Sequence, residues 1–99
     1  MNIITDELKS KIINHKYIDN KELDIFINYV IYKSKVITNY MKDVLPYSRM
    51  SLCNEIFWSY NIDSSLYKDS NNKYYCIFNI NNKEYILDIN YKYKEYYES

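Results

Sequence analysis

"KYYCIFNINNKEYILDINYKY", residues 73–93, decides how this chain folds. Runs rich in Ile, Tyr and Phe flank Asn81-Asn82, a pair that tolerates positive φ, which predicts two strands joined by a two-residue type I′ turn. That turn sets a register with an internal check. Ile80 faces Lys83, Phe78 faces Tyr85, Cys76 faces Leu87 and Tyr74 faces Ile89, so one face of the hairpin is almost wholly apolar. The other face pairs Asn79 with Glu84, Ile77 with Ile86 and Tyr75 with Asp88. A one-residue slip would destroy this separation. An isolated hairpin is marginal in water, so its apolar face must lie against other elements.

The preceding residues supply them as helices. Thr5 reads as an N-cap before Asp6 and Glu7, and Ile4, Leu8 and Ile12 recur every four residues, predicting a helix over about 6–14. After the connector "NHKYIDN", Asp19 and Glu22 have capping-box spacing, with Ile18 and Leu23 placed to form a hydrophobic staple. A second helix is therefore expected from 20, running until Pro46 forbids continuation. Unbroken from 20 to 45 it would span about 39 Å. Leu23, Phe26, Ile27, Val30, Ile37, Met41 and Val44 share one face, while Ile25, Tyr29, Tyr32, Val36 and Tyr40 lie nearly opposite. Such a helix either packs on both sides or offers its tyrosine face to another chain, tyrosine being enriched at interfaces. A third helix is expected after Ser51 as N-cap, with Ser48 as a rival cap, carrying Leu52, Ile56 and Tyr60 in one row with Cys53 and Phe57 beside it. "NIDSSLYKDSNN" breaks the periodicity and reads as a loop with a short strand around Tyr67.

The expected fold class is thus α+β. Three N-terminal helices, the second one long, pack on a small antiparallel sheet built around a C-terminal β-hairpin. The 99 residues make a single domain, helical over about 5–60 and sheet-forming over about 66–97. Ile, Asn, Lys and Tyr supply more than half the chain, whereas Gly, Ala and Gln are absent, a bias matching an AT-rich genome. Thirteen basic and thirteen acidic residues cancel, which removes the field expected of a protein built to hold a phosphate backbone. The start "MNIITDELK" is no signal peptide, and no uncharged apolar run approaches the roughly 18 residues of a membrane span. A cytoplasmic protein with reduced thiols is the expectation.

Within "MSLCNEIFW", residues 50–58, Cys53 falls in the first turn of the expected third helix, where the helix dipole favours a thiolate. Over roughly residues 48–90 the chain resembles, in outline, papain-like and transglutaminase-like enzymes, which pack a Cys-bearing helix against a sheet that presents His and Asp or Asn. That resemblance implies Cys53 as nucleophile and Asp88 as the orienting acid. Across from Asp88, where the resemblance calls for histidine, stands Tyr75. Tyrosine, with a reference pKa near 10, is a poor general base at neutral pH. The only histidine, His15, lies far upstream.

Other chemistries are excluded more firmly. Without glycine, phosphate-binding loops and dinucleotide fingerprints cannot exist in their known forms. One histidine and two cysteines, Cys53 and Cys76, give no zinc spacing, and "DSSLYKDSNN" lacks the Gly and terminal Glu of a calcium loop, so neither metal nor cofactor is expected. The C-terminus "NYKYKEYYES" interleaves tyrosine and lysine as single-strand nucleic-acid binders do, but alternation puts Lys92 and Lys94 on one face and Tyr91 and Tyr93 on the other. The expected function is a non-catalytic, stoichiometric protein binder, an inhibitor of the immunity-protein or phage and viral counter-defence type. Its expected contact residues are Tyr29, Tyr32 and Tyr40 with Ile25 and Val36 on the long helix, and Tyr91, Tyr93, Lys92 and Lys94 as a second patch. The partner is another protein or a second copy of the chain; nucleic acid is a less favoured partner and a membrane is not expected.

Overall fold

The computed structural model describes residues 3–39 and 45–97. Capping chemistry sets the first two helices where the sequence places them. The Thr5 hydroxyl accepts the Leu8 N–H at 3.1 Å and opens α1 (Asp6–Ile13). At α2 (Asn20–Thr38) the capping box is complete: Asp19 accepts the Glu22 N–H at 2.8 Å, and Glu22 accepts the Asp19 N–H at 3.1 Å. A Lys11–Glu22 ion pair at 3.1 Å ties the two helices together.

Two helix boundaries depart from expectation. α2 ends at Thr38, capped by Asn39, instead of continuing to 45; the expected positions Tyr40, Met41 and Val44 fall outside the described residues. The third helix, α3 (Pro46–Ser59), starts well before Ser51. Pro46 is itself the first helical residue, because proline needs no N–H partner there and its φ is already helical. The N-cap is Leu45, with no side-chain cap, so Ser51 and Ser48 sit inside the helix.

Four strands follow: β1 (Ser64–Lys68), β2 (Tyr74–Ile80), β3 (Lys83–Asp88) and β4 (Tyr93–Glu95), forming one antiparallel sheet in the order β1-β2-β3-β4. The architecture is α+β, with helices before strands, as the sequence indicates. The β2–β3 register is the expected one from Ile80↔Lys83 through Tyr75↔Asp88, around Asn81 and Asn82 at φ 57° and 61°. The ladder stops before Tyr74↔Ile89; Tyr74 pairs with Lys68 of β1 instead. Asn81 does more than turn the chain. Its side chain accepts the Ile18 N–H at 3.1 Å and donates to the Ile18 carbonyl at 2.7 Å, locking the hairpin tip to the α1–α2 connector.

The molecule has two layers, helices on one face of the sheet, within 37 × 36 × 19 Å. An aromatic chain crosses the interface: Phe26 of α2 meets Phe57 of α3 edge-on at 6.0 Å, Phe57 stacks on Phe78 of β2 at 4.4 Å, and Phe78 stacks on Tyr85 of β3 at 5.5 Å. Around it Leu8, Ile12, Ile18, Leu23, Ile27 and Val30 are buried. Burying each such side chain contributes roughly 1.5–3 kcal/mol, which makes this layer contact the main source of stability.

With no glycine available, the left-handed backbone positions fall to other residues: Asn61, Asn72, Asn81, Asn82, His15 and Tyr91 all have φ between 57° and 63°. His15 and Asn61 end α1 and α3 in Schellman motifs, where Lys16 N–H reaches Lys11 O at 2.8 Å and Ile62 N–H reaches Phe57 O at 3.0 Å. Asn72 and Tyr91 close two matching turns, "DSNNK" (69–73) and "DINYK" (88–92). In each, the aspartate Oδ1 accepts two backbone N–H groups, from Asn71 and Lys73 in one and from Asn90 and Lys92 in the other. No helix among the described residues is long and apolar enough to cross a membrane.

Candidate functional site

Because α3 begins at Pro46, Cys53 is a mid-helix residue rather than a first-turn one, and the dipole's effect has faded there. Its side chain is fully buried on the sheet-facing side of α3, beside the buried Ser34 hydroxyl. Burial pushes the thiol up to about 11, with the neighbouring Ser34 hydroxyl opposing the shift. Cys76 is equally buried and also raised by burial, its Sγ 4.0 Å from Asn54 Oδ1. Neither sulfur is the exposed, low-pKa thiolate that attack on a substrate requires.

The sheet also separates the other members of the expected constellation. Cys76 and Leu87 point to the helices, so their sequence neighbours Tyr75 and Asp88 project from the opposite face. Tyr75 and Asp88 are indeed cross-strand partners, but the sheet lies between them and Cys53. Asp88 Oδ1 holds its own turn, and the Tyr75 hydroxyl donates to Asp69 Oδ2 at 3.1 Å. His15 sits at the end of α1, beside the hairpin tip. Among the described residues no group of three or more His, Cys, Asp or Glu is placed to hold a metal ion.

What the structure does assemble is a groove of about 870 Å³ on the helix-free face of the sheet. Register builds it row by row. Tyr67, Tyr75 and Asp88 stand side by side across β1, β2 and β3, with Lys92 next in the same row; Ser65, Ile77, Ile86 and Lys94 form the second row. Tyr67 and Tyr75 rings lie 6.0 Å apart at 38°, Ile86 forms the floor, and Tyr96 and Tyr97 close the β4 side. Tyr75 is raised above the ordinary tyrosine value, first by the hydrogen bond to Asp69, then by burial and by the charges of Asp69 and Asp88. Asp69 thus lies at the β1–β2 turn, Asp88 on β3 beside Lys92, and the β4 side carries Lys94 and Glu95.

The expected contact residues divide. Lys92 and Lys94 line the groove and Tyr93 borders it, while the Tyr91 and Tyr93 side chains reach α2: Lys35 lies 5.2 Å from the Tyr91 ring, and the Tyr93 hydroxyl donates to Asp24 at 3.0 Å. On α2, Ile25, Tyr32 and Val36 are 40, 42 and 37% exposed. Tyr29 is half-buried, accepts a hydrogen bond from the Tyr60 hydroxyl at 3.0 Å, and has Lys33 at 5.5 Å from its ring. Tyr40 lies outside the described residues. Tyr96 and Tyr97 stood in the same lysine–tyrosine stretch as Lys92 and Lys94, but Tyr67 went unnoticed as a groove residue; carrying the Tyr75 position across to β1 by the pleat rule would have found it. No protein-family model, curated protein or solved structure matches the chain.

Proposed function

We propose that this chain is a non-catalytic protein-binding module that acts stoichiometrically by covering a partner's surface, as immunity proteins and phage or viral counter-defence proteins do. The observation that supports this most is the groove on the open sheet face. Tyr67, Tyr75, Tyr96 and Tyr97 present large amphipathic surfaces around Ile86, Tyr67 and Tyr75 from strands and the other two from the residues just after β4. Tyrosine ranks among the side chains that dominate binding energy, because its two torsions lose little entropy when fixed. The groove's charges, Asp69, Asp88 and Glu95 together with Lys92 and Lys94, suit a partner segment bearing both signs. The AT-rich composition suits a mobile or viral genome.

The experiment is affinity capture from lysate of the source cells, nuclease-treated, with wild type beside a Tyr67→Ser/Tyr96→Ser double variant. A protein recovered in stoichiometric amount with wild type and lost with the variant supports the reading. Capture that ignores the substitutions, or material that disappears with nuclease, overturns it. One observation favours a second reading: lysines and tyrosines do share the open face, as in sheets that stack single-stranded bases. The carboxylates of Asp69, Asp88 and Glu84 on that face weigh against it, so single-stranded nucleic acid is the outcome the nuclease arm detects.

A further inference from the structure

The groove leaves one apolar surface without a role. On α2, Ile25, Tyr32 and Val36 fall within about 20° of a common line at 100° per residue. That line is opposite the buried Leu23, Ile27, Val30 and Ser34, so it faces away from the core. Tyr29 borders it. The stripe is about 16 Å long at 1.5 Å per residue. Charges flank it unevenly. Asp24, near the start of the helix, and Lys35, near its end, lie along the same edge; within the chain Asp24 accepts from the Tyr93 hydroxyl and Asn28 and Lys35 lies over the Tyr91 ring, but neither has an ion-pair partner among the described residues. Glu22 and Lys33 lie along the other edge.

We infer that two copies of this chain pair through α2, antiparallel, about a two-fold axis crossing the helix between Val30 and Ile31. In that arrangement Ile25 packs on the partner's Val36, and Tyr29 packs on the partner's Tyr32. A two-fold of this kind lays each edge of the helix along the same edge of its mate, so Asp24 comes within reach of the partner's Lys35, twice. A parallel pair would instead set Lys35 beside the partner's Lys33 and Asp24 beside the partner's Glu22, like charge on like. The opposed helix dipoles also favour the antiparallel order. Self-complementarity of one patch is what an isologous dimer requires. A stripe this short is smaller than the patches of permanent dimers, so the pair is a weak one that forms and dissociates with concentration. The inference is independent of the tyrosine groove, which lies on the other side of the molecule.

The test is sedimentation of the full chain across concentrations up to about 1 mM, in the regime of weak interfaces. Wild type should shift toward dimer, and Tyr32→Glu should weaken association roughly tenfold or more by burying a charge in the stripe. Asp24→Lys and Lys35→Asp should each weaken it, and the double variant should restore it. Restoration cannot come from within one chain, where the two positions lie about three helical turns apart. Orientation is read by cross-linking, since Cys53 and Cys76 are buried and silent. With helices about 8–10 Å apart, Tyr32→Cys should join its partner through a reagent of about 8 Å, because the two copies are offset by only about 4–5 Å along the axis. Ile25→Cys should not, its offset being about 16 Å. A monomer throughout, a dimer indifferent to Tyr32→Glu, or equal cross-linking at 25 and 32 would each overturn the proposal. Tyr67→Ser, in the groove, should leave association unchanged.

Discussion

His15→Gly should make this protein more stable. His15 holds φ 57° at the end of α1, the position that helices usually give to glycine, and this chain has none to give. A residue with a Cβ costs roughly 1–2 kcal/mol there, because the left-handed conformation presses Cβ against the following carbonyl. Glycine removes that clash but loosens the unfolded chain, which returns about 0.4–1 kcal/mol. The His15 side chain is exposed and takes part in no side-chain hydrogen bond among the described residues, so little else is lost. The net gain should be about 0.5–1 kcal/mol, or a rise in Tm of roughly 3–6 °C for a domain of this size. Thermal unfolding followed by circular dichroism, with urea titration as a second measure, reads it. His15→Ala is the control, since it keeps the Cβ and should change stability far less. If Gly proves no more stable than Ala at this position, the strain argument is wrong. Asn72→Gly should gain less than His15→Gly, because asparagine tolerates the left-handed region better.

Three further outcomes follow from the packing and hydrogen bonding. Asn81→Ala should cost about 2–3 kcal/mol, from two hydrogen bonds to Ile18 and a left-handed Cβ, and Asn81→Gly less, as the difference in urea midpoints will show. Phe26→Ala removes the ring that links α2 to Phe57 and Tyr60 and should cost about 3–5 kcal/mol in the same assay. Stability should fall in alkali. The Cys53 thiol at about 11 and the Tyr60 hydroxyl at about 12 are both raised mainly by burial, so their contribution is complete below their ordinary values near 9 and 10. It is lost as pH climbs through the raised values; urea midpoints should hold to about pH 9 and then decline, less steeply in Cys53→Ala.

The hairpin was legible because two independent signals agreed: a turn dipeptide and an alternation that only one register satisfies. The helix starts at Thr5 and Asp19 were legible because capping is local chemistry. Where the sequence reading erred, the local signals were degenerate. Several serines near residue 50 could each cap a helix, and Pro46 could end one or begin one; the chain uses it to begin, which moved Cys53 from the first turn to the middle of α3. The apolar pattern of α2 continues past Thr38 on paper, but a pattern of faces contains no stop signal. The repeated "D-x-N-x-K" turns were present in plain sequence and carry a mechanism, an aspartate that accepts two N–H groups while a left-handed residue closes the turn.

Those two turns also explain why the groove lies where it does. β1–β2 and β3–β4 turn at the same end of the sheet, so Asp69 and Asp88 arrive on either side of the strand between them, with Tyr75 in the middle. The turn between β2 and β3 is at the other end, where Asn81 is bound to Ile18 and faces the connector. One end of the sheet is thus fastened through Asn81 to the α1–α2 connector, and the other carries the outer tyrosines with Asp69, Asp88 and Lys92. The inner tyrosines make the same point from the opposite side. Tyr60 donates to Tyr29 and Tyr93 donates to Asp24, so these hydroxyls are used to join elements, whereas Tyr67 and Tyr96 join none. Substituting Tyr67 and Tyr96 should therefore alter binding while leaving the urea midpoint within about 0.5 kcal/mol of wild type, as expected of surface positions. A large loss of stability in that pair would mean the outer tyrosines hold the sheet together, and the groove would lose its claim to be a binding surface.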